Sequence, residues 1–401
     1  MAFDGLDIAL SLLKIVIVLS AILSVTPVMV WVERRGSALI QDRPGPNRVG
    51  PLGLFQAIAD ALKFILKEDI VPLKAHRFLY TVAPLFGLIP AVTTIAVVPW
   101  GRSFHLPEVE AFGSKFAGRT FEPIVADVNV GILLIFALAS MGVYGIVTAG
   151  WASNNKYSMF GSMRASAQMI SYELALTLGA IGCLMAAGSL RLVDVVHAQT
   201  GYFVLFDTLR IPAWNFIPMF IGFVVFTASG FAETNRIPFD LPEADAELVG
   251  GYHTEYASMK FAMFFMSEYM AMATMSALIT TLFLGGWDIP WYNEPPTLLG
   301  FALSATAFVA KVTFLLFTFV WVRWTLPRFR FDQLMRLGWH YMIPVAIANT
   351  IFCGVGLVLW RSLGWSFAGS LWIGTLLTLL VALLLSGQTE APEPTVTGQG
   401  S

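Results

Sequence analysis

Residues 233–256 read ETNRIPFDLPEADAELVGGYHTEY, and what flanks them decides the fold. Phe216 to Phe231 precedes them and Phe261 to Leu284 follows, two strongly apolar runs of the kind that cross a bilayer as helices. The stretch between is acidic: Glu233, Asp240, Glu243, Asp245, Glu247 and Glu255 stand against Arg236 alone. Cytoplasmic loops of membrane proteins usually lean the other way, towards Lys and Arg. Pro238 and Pro242 stop a helix early, and Gly250 with Gly251 permits a sharp bend later. If residues 244–249 are helical, Glu243 and Glu247 share a face at i, i+4 while Asp245 points elsewhere. Like charges at that spacing repel, which favours a proton held on one of them. For an arbitrary chain a solvated acidic loop is the plainer reading.

Working outward, nine apolar runs fall near residues 8–31, 78–99, 128–150, 168–188, 214–232, 261–285, 300–322, 342–360 and 367–386, each close to the ~20 residues a spanning helix needs. The composition agrees, with 57% apolar residues, 12% charged and a mean hydropathy of +0.72. The expected fold class is an all-α integral membrane protein, a bundle of eight to nine transmembrane helices. Residues 1–386 form one polytopic membrane domain, and the polar, Pro-bearing residues 387–401 read as a disordered cytoplasmic tail. The first run is no cleaved signal, because it lacks a basic start and leads straight into Glu33-Arg34-Arg35. Of 24 Lys and Arg, 16 lie in loops 32–77, 151–167, 233–260 and 323–341, and six in the intervening loops. That asymmetry places the first set in the cytoplasm, the N-terminus outside and, with nine spans, the C-terminus inside.

Net charge is -2, giving no hint of nucleic acid. Cys183 and Cys353 sit inside apolar runs, the five histidines are scattered, and no C-x-x-C occurs, so no metal or iron–sulfur cluster is expected on this chain. No internal repeat is visible, which weighs against an inverted-repeat transporter.

Chemistry concentrates in four further places. In the first basic loop, Gly and Pro surround Arg43 and Arg48, and an amphipathic helix starts near Leu54. Its Gln56, Asp60, Lys63 and Lys67 recur as one polar stripe, the pattern of an interfacial helix with the stripe facing either water or a cavity. Glu173 lies several residues inside the fourth run, where an ionisable group costs about 3 kcal/mol and faces protein or water. A relay carboxylate is favoured there over a structural ion pair. Glu268 and Lys311 are two more intramembrane ionisables, either of which could be half of an ion pair. Arg323, Arg328, Arg330, Asp332 and Arg336 alternate with aromatics in the last basic loop, a pattern that positive-inside topology explains cheaply and that also suits the mouth of a quinone or lipid site.

Together, Glu33-Arg34-Arg35, Arg43 to Gln56 with Asp60 and Lys63, Gly150 to Glu173, Glu233 to Tyr256 and Pro327 to Trp339 resemble the family of the H-type membrane subunit of NADH:quinone oxidoreductase, the counterpart of mitochondrial NADH dehydrogenase subunit 1. The C-terminal quarter adds little beyond hydrophobicity, and a ninth span exceeds what many members have. Asp245 stands where the family more often has Glu, which keeps the charge and shortens the reach. The resemblance implies a membrane subunit of complex I in the cell inner membrane, active only within the multisubunit translocase and partnered by its other membrane and peripheral subunits. It implies quinone as substrate, with FMN and the iron–sulfur clusters held by partner chains. Carried over by position, Glu33, Arg34, Arg43, Gln56, Asp60, Lys63, Arg323, Arg328 and Arg330 would line or brace a quinone chamber. Glu173, Glu233, Asp240, Glu243, Asp245, Glu247 and Glu255 would form an acidic funnel that couples quinone reduction to proton translocation. Two alternatives stay open on sequence: the equivalent subunit of a membrane-bound hydrogenase, and a stand-alone cation/proton antiporter.

Overall fold

In a bilayer every backbone N–H and C=O needs a partner within its own segment, so long apolar runs fold as helices. The computed structural model describes residues 5–106, 109–111, 114–116, 119–205, 209–240, 249–292, 295–364 and 366–387. Among them are eight helices long and apolar enough to cross a membrane. These are α1 (Gly5–Ile40), α3 (Arg77–Thr94), α4 (Gly131–Ala152), α5 (Lys156–Ala187), α8 (Ser258–Phe283), α9 (Leu298–Thr325), α11 (Ile343–Leu363) and α12 (Phe367–Gly387). Shorter helices are α2 (Gln56–Leu66), α6 (Leu192–Gln199), α7 (Phe220–Glu233) and α10 (Phe331–Arg336), the last running through a π-helical turn, Leu337–Met342, into α11. The bundle is all-α. Three short antiparallel pairings lie outside it: β1 (Phe104–Leu106) with β4 (Arg119–Phe121), β2 (Val109–Ala111) with β3 (Ser114–Phe116), and β5 (Tyr202–Leu205) with β6 (Leu209–Pro212). Their registers set Phe104 opposite Phe121, Val109 opposite Phe116 and Tyr202 opposite Pro212.

The run at 214–232 is where length departs from expectation. Its helix has 14 residues, because Pro218 has no N–H to donate one turn back and interrupts the hydrogen-bond ladder at that point. The preceding residues turn instead, with the Phe216 N–H donating to the Phe283 carbonyl (2.9 Å) and Asn215 Nδ2 to that of Leu282 (2.9 Å). The Pro218 carbonyl accepts from Thr375 of α12 at 2.6 Å. The segment still joins the two ends of the bundle, since Glu233 lies at the other end of α8 from Phe283.

Hydrogen bonds sort the loops into two ends. At one end, Glu33, Asp69, Asn155, Arg236, Glu255, Lys260, Arg323 and Arg328 meet one another. At the other, Arg191 pairs with Asp127, and Gln199 bonds to the Thr281 carbonyl at 2.9 Å. The first end gathers the four Arg/Lys-rich loops and is called the basic end below. Between the ends α8 is the most enclosed long helix, 67% of its span buried against 6% for α1. Its Leu278, Ile279, Leu282 and Phe283 are fully buried near the opposite end.

Helix α2 bears no buried residue and lies along the basic end. Ser258 Oγ donates to the carbonyls of Phe64 (2.8 Å) and Lys67 (3.0 Å), tying its C-terminus to the start of α8. Ile58, Leu62 and Ile65 point away from the bundle, each more than half exposed. Of the polar stripe, Asp60 turns inward and pairs with Arg34 of α1 and with Lys63, while Lys63 and Lys67 stay exposed.

Candidate functional site

The last turns of α1 carry Glu33 into the basic end, where it is 6% exposed. Arg323 Nη1 donates to Glu33 Oε2 at 2.6 Å and Arg236 Nη1 to Oε1 at 3.2 Å. The Tyr269 hydroxyl donates to Oε2 at 2.7 Å, and the Arg236 guanidinium lies 4.3 Å from the Tyr269 ring centre. One carboxylate thus faces two guanidiniums, leaving a cluster of net positive charge. Burial pulls the Arg236 pKa down, but Glu33, Tyr269 and Glu268 push it up and prevail, so Arg236 stays charged. Its Nε and Nη2 are buried without a hydrogen-bond partner among the described residues.

One residue before Tyr269 on α8, Glu268 turns about 100° away from it, and the two side chains serve different neighbours. Glu268 accepts from the Tyr252 hydroxyl at 3.0 Å. It lines a cavity of about 110 Å³ with Glu173 of α5 and Glu233 of α7, closed round by Asn235, Tyr252 and Thr274. That volume has room for several waters. Glu173 accepts from the Ser140 hydroxyl of α4. Glu233 Oε2 is buried with no partner among the described residues. An ionised carboxylate oxygen so placed is costly, so Glu233 is stable there either protonated or hydrated. Three carboxyls on three helices reach one small, mostly apolar cavity, and through waters held there they can share and pass protons.

The loop after α7 is held against this cavity from both sides. Asn235 takes the left-handed conformation (φ 49) that lets the chain turn, one that Asn tolerates well. Gln168 of α5, fully buried, donates through Nε2 to the carbonyls of Ala232 (3.0 Å) and Phe239 (2.8 Å). Beyond it, Arg328 pairs with buried Asp240 at 3.1 Å, and the Phe329 N–H donates to the Pro238 carbonyl at 3.1 Å. The stretch following residue 248 returns onto α5 at Gly161, where a Cβ would lie 2.7 Å from Gly251 Cα, and Ser158 Oγ donates to the Tyr252 carbonyl at 2.8 Å.

The first basic loop forms a second, more open cavity of about 480 Å³ lined by Arg34, Ser37, Arg43, Gln56 and the Pro44–Pro46 turn. Arg34 follows Glu33 on α1 but lies about 100° round the helix, so its half-exposed side chain opens onto this cavity while Glu33 is buried in the cluster. The structure therefore brings the expected positions into three groups: Arg34, Arg43 and Gln56 with Asp60 and Lys63; Glu33 with Arg323; and Glu173 with Glu233. Asp240 and Arg328 brace the loop between them. Two positions stand apart. Glu255 holds the start of α5, accepting from Asn155 Nδ2 at 2.5 Å, and Arg330 lies exposed beside Asp332 at the start of α10. Glu243, Asp245 and Glu247 lie outside the described residues, as does the helix expected over 244–249.

Glu268 joins the carboxylates of the cavity, whereas on sequence Glu268 and Lys311 each stood as a possible half of an ion pair. A pair between the two is excluded by length. Lys311 Nζ donates to the carbonyls of Leu284 (2.7 Å), Gly286 (3.0 Å) and Asp288 (2.7 Å), and Leu284 is 16 residues, about 24 Å, along α8 from Glu268. Tyr269 and Ser140 are additions that no pattern announced, since a phenol or hydroxyl in an apolar run is ordinary. Arg236 had a signal, being the sole base in an acidic stretch.

A bundle of long apolar helices, with three carboxyls on an internal cavity and a buried guanidinium–carboxylate cluster at its basic end, defines a polytopic membrane protein with ionisable groups in its interior. The chain belongs to the NADH dehydrogenase family, which it matches over residues 13–354. It is 44% identical to the H-type subunit of NADH-quinone oxidoreductase from Salinibacter ruber, over 87% of this chain and 96% of that protein. The corresponding protein of Bdellovibrio bacteriovorus is also 44% identical, over 88% and 97%. NADH-quinone oxidoreductase subunit 8 of Rhodothermus marinus is 43% identical, over 86% and 96%.

Proposed function

We propose that this chain is the subunit of a proton-pumping NADH:quinone oxidoreductase that helps to form the quinone chamber and passes the effect of quinone reduction to a set of membrane carboxyls. The observation that carries the reading is the Glu33–Arg236–Arg323–Tyr269 cluster: Glu33 precedes Arg34, which lines the first-loop cavity, and Tyr269 follows Glu268, which lines the carboxyl cavity. Quinone would occupy the chamber side, with Arg34, Arg43 and Gln56 lining it and Asp60 and Lys63 bracing Arg34. Electrons would arrive from clusters and flavin in partner chains. Reducing a quinone takes up protons and changes charge beside Glu33, and that change acts on Arg236 and Glu268 across a short, poorly screened interior. The protonation of Glu173, Glu233 and Glu268 shifts in response, and Asp240, Glu243, Asp245, Glu247 and Glu255 add further acidic groups along the sequence that follows α7. The basic end would face the cytoplasm of the cell inner membrane, with the apolar face of α2 resting in the lipid interface.

The test uses the whole enzyme in proteoliposomes. Glu268→Gln and Glu173→Gln keep size and hydrogen bonding but remove the proton site. Both should abolish most proton pumping linked to quinone reduction, while NADH oxidation by an artificial acceptor stays at the parental rate. Pumping at the parental level in both variants would remove the cavity carboxyls from the mechanism.

A further inference from the structure

Helices α5 and α7 run antiparallel and carry Glu173 and Glu233, the two carboxyls that share the cavity without coming from α8. Their backbones approach most closely at two glycines. A Cβ at Gly179 would lie 3.2 Å from the Gly222 carbonyl oxygen and 3.2 Å from the Phe226 nitrogen, and a Cβ at Gly222 would lie 3.2 Å from the Gly179 oxygen. These contacts are tighter than the ordinary 3.4–4 Å range, so any side chain at either position forces the helices apart by a few tenths of an ångström. A third helix closes the crossing. Asn349 of α11 is fully buried, its Nδ2 has no hydrogen-bond partner among the described residues, and that nitrogen would lie 3.1 Å from the Gly222 Cβ. Apolar side chains would fill such a place without leaving a polar atom unsatisfied, so packing alone does not call for an amide there.

We propose that Gly179, Gly222 and Asn349 form a pivot that sets the separation of Glu173 and Glu233, and so act as positioning residues for proton exchange between them. The inference rests on the carboxyl relay proposed above. Glu173 lies six residues, about 9 Å, from the crossing, and Glu233 eleven residues, about 16 Å, both towards the basic end. With only 14 residues, α7 is a short lever, and a tilt of about 4° at the pivot carries Glu233 by about 1 Å. Direct or one-water proton transfer depends on hydrogen-bond lengths that tolerate less than that. The aromatic contacts of Phe226 with Phe283 (5.6 Å between ring centres) and of Phe231 with Phe319 (3.9 Å) tie α7 to α8 and α9, so displacement at the glycines is transmitted along the helix.

The test compares Gly179→Ala and Asn349→Ala with Gly182→Ala in the intact enzyme. Gly182 is one turn further along α5, and a Cβ there meets nothing closer than 3.4 Å, so it controls for helix propensity. Gly179→Ala should lower coupled quinone turnover by about tenfold or more, since misplacement by 1 Å can cost about a hundredfold. A wider pair repels less, so the alkaline limb of the pH–rate profile should move to lower pH by about half a unit or more. Asn349→Ala adds no atoms, is therefore the variant that should still assemble, and should shift the limb the same way. Gly182→Ala should match the parent. An assembled Gly179→Ala or Asn349→Ala enzyme with the parental pH profile and proton-to-electron ratio overturns the pivot, and if Gly179→Ala fails to assemble, Asn349→Ala decides alone. Glu173→Gln runs alongside: parental pumping in that variant defeats the relay itself, whereas a damaging Glu173→Gln with silent pivot variants defeats only the pivot.

Discussion

Glu33 is the residue on which Arg236, Arg323 and Tyr269 converge. Replacing it by Gln leaves Arg236 and Arg323 facing each other without a counter-charge, and breaking a buried pair this way costs about 3–5 kcal/mol. Glu33→Gln is therefore expected to lower the midpoint of thermal disassembly and the yield of intact enzyme. Tyr269→Phe keeps the ring under Arg236 and removes only the donor to Glu33, a loss of about 1.5–3 kcal/mol for a bond to a charged group. The enzyme should assemble with reduced quinone turnover, and equal loss with an artificial acceptor would show that the phenol serves assembly instead. Sequence made Glu33 legible because it opens a charged triplet at the end of an apolar run. Tyr269 was not, because its partner is 236 residues away and its neighbours are those of any buried tyrosine.

At the scale of elements, apolar runs located the helices well, and their limits came out wrong for physical reasons. Helix α5 begins at Lys156, twelve residues before the apolar run, since Asn155 caps it by accepting from the Tyr157 N–H at 2.9 Å and its first turns pack on the acidic loop. Helix α7 begins late because of Pro218. The stripe of α2 was legible as a pattern, but period alone does not say which residues meet the protein: Asp60 does through Arg34 and Phe64 does against Phe261, while Lys63 and Lys67 stay exposed. Leu62 stands on the outward face, 53% exposed. If that face rests in lipid, Leu62→Asp should free α2 from the surface and raise protease cleavage within residues 56–66 in membranes by severalfold, while Lys63→Ser should not. Unchanged cleavage in Leu62→Asp would place α2 against a partner subunit or in water.

For the whole molecule, loop charge and loop contacts agree on two ends. The basic residues divided the loops into two sets, and the hydrogen bonds bring each set together without using charge counts. The carboxyl cavity was legible only in part: Glu173 and Glu233 stood out by depth and context, whereas a cavity is made by which helices adjoin, and no spacing within one helix records that. Which end faces the cytoplasm is decided by labelling. With Lys74→Cys and Ser103→Cys, both at exposed positions on opposite ends, a membrane-impermeant thiol reagent should reach the first only in inside-out vesicles and the second only in right-side-out ones. Reaction of both from one side would break the topology. The cage around Lys311 also bears on how the chain is made. A lysine within a span adds about 3 kcal/mol to its insertion, yet its acceptors at Leu284, Gly286 and Asp288 leave the ribosome before it does. Helices α8 and α9 can thus enter the bilayer as one hairpin with the ammonium already satisfied. Glu33 waits for partners 203 and 290 residues downstream, and it can wait because it sits at a water-facing end. Order of synthesis, then, sorts the charges: those met locally are set deep, and those met late are kept at the rim until the last arginine arrives.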